Sequence, residues 1–70
     1  MKTMNITIND IVTNVKSGAS VLDIVTLKGL QGKGGVAVAV NGTLVRRDDW
    51  EGHTLNPLDS VLIINAAYGG

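Results

Sequence analysis

The segment from residue 36 to residue 45 constrains the fold more than any other part of the chain. It reads Val-Ala-Val-Ala-Val, then Asn41-Gly42, then Thr-Leu-Val. Asn-Gly readily adopts the two positive-φ positions of a type I′ turn, and β-branched residues on either side favour strands. The segment therefore predicts two strands that meet in a tight antiparallel hairpin.

Three further strands are predicted outside this hairpin. Residues 4–9 alternate apolar and polar side chains, which is typical of a strand with one buried face. Residues 11–15 are rich in β-branched side chains and follow the turn pair Asn9-Asp10, so the two segments predict an N-terminal hairpin. Residues 61–65 predict the last strand.

A helix is predicted between the two hairpins. Ser20 and Asp23 have the spacing of a capping box, in which two side chains accept hydrogen bonds from unpaired backbone N–H groups. The helix is expected to run to about Lys28 and to stop at Gly29. Residues 31–35 hold three of the nine glycines but match no phosphate-binding fingerprint, which predicts a flexible connection.

The order of elements is ββαβββ, with a polar excursion over residues 46–53 before the last strand. This order predicts an α+β, ubiquitin-like β-grasp fold, with about five strands in a mixed sheet, one covering helix and a last strand parallel to the first. We expect a single domain over residues 1–70, with an ordered core of about 4–66 and a flexible tail at 67–70.

Composition excludes several classes of function. The chain has no cysteine, which rules out thiolate metal sites, disulfides and a cysteine nucleophile. Six basic and six acidic residues balance with no basic cluster beyond Arg46-Arg47, which argues against nucleic acid or an anionic membrane as partner. His53 is the single histidine, so no metal site is predicted, and no catalytic side-chain set can be assembled. We expect a cytoplasmic protein that is not an enzyme.

The chain ends in Gly69-Gly70. Taken alone this dipeptide predicts a frayed end. After a β-grasp order of elements it favours a carrier whose terminal carboxylate enters another protein's active site, because glycines add no bulk and accept unusual backbone angles. The segment 66–70 could extend roughly 16–18 Å.

The last strand also predicts a docking patch. If Val61 and Ile63 face the core, Leu62 and Ile64 face outward, because side chains alternate across a strand. One helix covers only one sheet face, which favours a partner on the other, although both faces could be covered within the fold. Trp50 is predicted to be a hydrophobic plug under the polar excursion, or alternatively a partner hot spot.

Four features together resemble ThiS, the sulfur-carrier family of thiamine biosynthesis, over residues 4–70. They are the opening Met4-Asn5-Ile6, the run 36–42, the spacing Val45-x-Arg47-x-x-Trp50, and Gly69-Gly70. The sequence departs from the usual pattern in two places. Arg46 stands where relatives often have proline, and Tyr68 is bulkier than the usual residue there.

The resemblance implies a chemistry and a set of partners. Gly70 would be adenylated by an ATP-using activating enzyme, converted to a thiocarboxylate with the help of a sulfur-donor enzyme, and would give its sulfur to thiazole synthase. Tyr68 and Gly69 would pass through the enzyme channel, and Arg47 could contact the activating enzyme instead of forming a solvated turn. ATP would belong to the partner, with no tightly bound cofactor in this chain.

Other interpretations stay open. The chain could carry sulfur in another pathway, as the small subunit of molybdopterin synthase does, or for cysteine synthesis or tRNA thiolation. A ubiquitin-like modifier would instead join Gly70 to lysines. An interaction module would carry an inert tail.

Overall fold

The computed structural model describes residues 2–66, which form a five-stranded mixed sheet and one α-helix. The elements in chain order are β1 (Thr3–Ile8), β2 (Ile11–Lys16), α1 (Val21–Leu27), β3 (Val36–Val40), β4 (Thr43–Val45), a 3-10 turn (Arg47–Asp49) and β5 (Ser60–Asn65). The predicted order of elements and the β-grasp fold are confirmed. The predicted tail, residues 67–70, lies outside the described residues.

The strands lie in the order β2-β1-β5-β3-β4. β5 runs parallel to β1 and antiparallel to β3, so the last strand lies at the centre of the sheet between the two hairpins. This parallel pairing with the first strand was predicted. Each predicted strand is present, with ends that differ by about one residue.

Both hairpin turns use residues with positive φ. Asn41 has φ 50° and Gly42 has φ 84°, as a type I′ turn requires. Asn9 and Asp10 have φ 51° and 69° in the first turn. Asparagine and aspartate tolerate this region better than other side chains, which explains why both turns can be tight.

The start of α1 is capped from two directions. Ser20 Oγ accepts from the Asp23 N–H at 3.2 Å, and Asp23 Oδ2 accepts from the Ser20 N–H at 2.9 Å, which confirms the predicted capping box. The N–H groups of the first two helical residues donate to the carbonyls of His53 and Trp50. The polar excursion therefore satisfies N–H groups that the helix itself leaves unpaired.

The core lies between α1 and one face of the sheet. Its helical members are Val21, Ile24 and Val25. Its strand members alternate along each strand: Met4, Ile6, Ile8, Val15, Val38, Val40, Val45, Val61 and Ile63. Trp50 is buried and its Nε1–H donates to the Val45 carbonyl at 3.0 Å, so the predicted plug is confirmed. Over residues 2–66, no helix has the length and hydropathy to cross a membrane.

Candidate functional site

The residues predicted to carry the chemistry, Tyr68, Gly69 and Gly70, lie outside the described residues. The structure does describe the sheet surface and the loop beside Ala66, the residue from which the tail would leave. The candidate site is therefore built from the surfaces around this point.

Leu62 and Ile64 face away from the core on β5. Leu62 is 48% exposed and Ile64 is 54% exposed, whereas Val61 and Ile63 are buried. The predicted alternation of β5 is thus confirmed, and the helix covers only the opposite face. That these two side chains dock a partner stays a prediction.

The strand register extends this apolar surface across three strands. Ala39 pairs with Leu62 on one side and with Leu44 on the other, and Ala37 pairs with Ile64. Directly paired residues share one face of a sheet. Leu44, Leu62 and Ile64, with Ala37 and Ala39, therefore form one continuous surface, which we call the outer patch.

The outer patch carries no charged member and is bordered by polar residues towards β1. Thr7 and Ser60 are paired across the β1–β5 ladder, next to the patch on the same face. Apolar surface with a polar border is typical of a protein-binding site. The outer patch could thus bind an apolar surface of a partner protein.

Arg47 is engaged within the chain. Its Nη2 donates to the Lys33 carbonyl at 2.7 Å, and its guanidinium lies 4.9 Å from the centroid of the Trp50 ring. Such stacking over an indole is favourable because the ring face is electron-rich. The structure therefore places Arg47 between the glycine-rich loop and the core, and a contact with an activating enzyme remains a prediction.

The glycine-rich loop also contacts the base of the tail. The Ala66 N–H donates to the Gly35 carbonyl at 2.8 Å, which continues the β3–β5 pairing by one residue. Our prediction of a flexible connection gave no indication of the contacts at Lys33 and Gly35. The first joins the loop to Arg47 and the second joins it to Ala66, and both partners lie far from the loop in sequence.

His53 contributes its backbone carbonyl to the cap of α1, and its side chain is half-buried. It lines an open surface cavity with Asp48 and Asp49. Within residues 2–66, no group of three acidic or histidine side chains is arranged to hold a metal ion.

Two functional candidates were missed at the sequence level. Leu44 could have been found, because the Asn41-Gly42 turn sets the register that places it opposite Ala39. Gly35 could not be distinguished from the other loop glycines, because its contact with Ala66 joins segments far apart in sequence and no local pattern indicates it.

The chain is similar to known proteins in its fold and over nearly its whole length. No curated protein matches the chain. The crystal structure of thiamine biosynthesis protein ThiS from Geobacter metallireducens is similar, with a TM-score of 0.76 and 23% identity, covering 96% of this chain and 100% of that one. At this identity the likeness shows the fold alone. Residues 2–70 match the model of the ThiS family, and the chain therefore belongs to that family.

Proposed function

We propose that this protein is a sulfur carrier of thiamine biosynthesis and that Gly70 is its working residue. Family membership over residues 2–70 is the observation that carries the proposal. The outer patch, formed by Leu44, Leu62 and Ile64 with Ala37 and Ala39, supports it by offering a docking surface on the strand that leads into the tail.

The proposed reaction uses only the terminal carboxylate. One carboxylate oxygen attacks the α-phosphorus of ATP, pyrophosphate leaves, and an acyl-adenylate forms. Hydrosulfide supplied by a donor enzyme then attacks the acyl carbon and the carbon–oxygen bond to AMP breaks. AMP leaves, so that sulfur replaces one carboxylate oxygen at Gly70. The chain contains no cysteine, so no side-chain thiol competes for the activated acyl group.

The partners follow from this reaction. An activating enzyme binds ATP and performs the adenylation, a donor enzyme supplies sulfur, and thiazole synthase consumes the thiocarboxylate. The carrier is then a protein co-substrate in the cytoplasm and not a catalyst. Residues 66–70 could span roughly 16–18 Å, which suits a docked domain feeding a recessed site.

In this proposal the role of each tail residue follows from the size of its side chain. Gly69 and Gly70 add no side chain to the part of the tail that enters the channel, where water must be excluded for the acyl-adenylate to persist. Tyr68 is larger, so it selects among activating enzymes by the width of their channels.

Intact-mass spectrometry tests the proposal. After incubation with a cognate activating enzyme, ATP and a sulfur donor, the mass should change by the replacement of one oxygen with sulfur, located at Gly70 by fragmentation. The variant lacking Gly70 should show no change while keeping the thermal stability of the parent. Lysine conjugates would instead indicate a modifier, and an unchanged mass with a demonstrably active enzyme would refute the carrier function.

The acceptor is tested separately. Thiocarboxylated carrier mixed with thiazole synthase should lose its sulfur. Transfer to the large subunit of molybdopterin synthase, with none to thiazole synthase, would place the carrier in the alternative pathway.

A further inference from the structure

The glycine-rich loop holds the residue from which the tail departs. Ala66 is the last described residue, and its N–H donates to the Gly35 carbonyl at 2.8 Å. This bond lies just beyond the Val36–Asn65 pair that ends the regular β3–β5 ladder. Gly35 is therefore the backbone partner of the last residue that the structure describes.

Gly35 is required at this position for two separate reasons. Its φ is +75°, a region that costs a non-glycine residue energy. A Cβ atom on Gly35 would also lie 2.7 Å from the Ala66 carbonyl oxygen, closer than real Cβ atoms come to any neighbour. Gly32, in the same loop, has φ +79° but nothing within 4 Å of its added Cβ. The close approach to the tail thus distinguishes Gly35 from Gly32.

The loop itself is fixed to the core. The Lys33 carbonyl accepts the 2.7 Å bond from Arg47, whose guanidinium stacks on the buried Trp50. On the other side of the loop, the Leu30 N–H donates to the Val25 carbonyl of α1 at 3.1 Å. Gly35 is thus held by a loop that is anchored on both sides.

We propose that Gly35 is a positioning residue that sets the direction in which the tail leaves the sheet. This inference rests on the proposed carrier function, because direction matters when Gly70 must meet ATP inside another protein. Gly70 lies only four residues after Ala66, so the direction of the backbone at Ala66 limits the positions that Gly70 can reach. A displacement of about 1 Å at a reacting group can slow a reaction about 100-fold.

If Gly35 positions the tail, substituting it should slow adenylation while leaving the affinity for the activating enzyme nearly unchanged. The outer patch begins at Ala37, and the three heavy atoms nearest to a Cβ added at Gly35 all belong to Ala66 and not to the patch. Affinity for the activating enzyme should therefore change less than about twofold. The rate of adenylation at saturating carrier should fall roughly 10- to 100-fold. A merely structural role would lower thermal stability and leave this rate unchanged for the folded fraction.

The test compares Gly35→Ala with Gly32→Ala in the full chain. Both substitutions add a methyl group at positive φ, but only the first meets Ala66. We measure thermal stability, Kd for the activating enzyme by calorimetry, and the saturated rate of AMP-ester formation. We expect Gly35→Ala to bind with the Kd of the parent but to react at a lower saturated rate. Gly32→Ala should match the parent in both.

A second variant covers the case in which Gly35→Ala does not fold. Ala66→Pro removes the N–H donor, and its ring displaces the Gly35 carbonyl from the base of the tail. Asn65 already has the extended conformation that a residue before proline prefers. Ala66→Pro should show the same loss of rate at unchanged Kd.

The outcomes are distinct. Equal saturated rates for Gly35→Ala and Gly32→Ala, or unfolding of both Gly35→Ala and Ala66→Pro, would overturn the positioning role while the parent still takes up sulfur. A parent chain that is never adenylated would overturn the carrier function itself, and with it this inference.

Discussion

Replacing Leu62 and Ile64 together by alanine should weaken binding to the activating enzyme about 10- to 100-fold. Complete burial of such a side chain contributes about 1.5–3 kcal/mol. Leu62 is 48% and Ile64 54% exposed, so about half of that, or about 0.7–1.5 kcal/mol each, remains for a partner to gain. The two side chains together then account for about 1.5–3 kcal/mol of binding free energy.

Calorimetry with the cognate activating enzyme measures this effect, and the chain offers a matched control. Leu27 and Ile11 are 62% and 67% exposed, but Leu27 belongs to α1, and Ile11 pairs with the inward-facing Ile8. The control variant Leu27→Ala/Ile11→Ala should bind like the parent. The reasoning fails if the Leu62→Ala/Ile64→Ala variant also binds like the parent, or if the control loses as much affinity.

Two further predictions concern the stability of the sheet that carries the patch. The Asn9 side chain bonds both backbone groups of Ile63, with Nδ2 donating at 3.2 Å and Oδ1 accepting at 2.8 Å, so Asn9→Gly should lower the free energy of unfolding by about 1–3 kcal/mol. Urea titration measures this loss, with Asp10→Gly at the neighbouring positive-φ position as the control. An equal loss of unfolding free energy in the two variants would contradict the role of the Asn9 side chain. Trp50→Phe leaves the buried Val45 carbonyl without its 3.0 Å donor and should cost about 1–3 kcal/mol in the same titration. An unchanged midpoint would contradict it.

Local patterns predicted the elements well because their causes lie within a few residues. The turn at Asn41-Gly42 depends on the φ preferences of two adjacent residues. The start of α1 depends on Ser20 and Asp23, which lie one turn apart. The outward side of β5, with Leu62, follows from the alternation of a single strand.

Contacts between distant segments could not be predicted in the same way. Asn9 extends the β1–β5 ladder with its side chain, although the local pattern shows only a turn residue. Arg47 lies in an exposed turn as predicted, but the local pattern gave no sign that its guanidinium donates to the Lys33 carbonyl of the glycine-rich loop. Each depends on a pairing that only the folded chain brings about.

The outer patch is too small to hold a partner by itself. With Leu44 added to Leu62 and Ile64, the area still available supplies about 2.5–5 kcal/mol. Association of two proteins costs about 4–15 kcal/mol in lost freedom of motion. Ala37 and Ala39 keep the patch small, since larger side chains at these positions would extend the apolar area. A patch of this size gives only weak binding, even with further contacts at its polar border, so the carrier can leave its partner readily. Such binding suits the proposed carrier, which passes from one partner enzyme to the next.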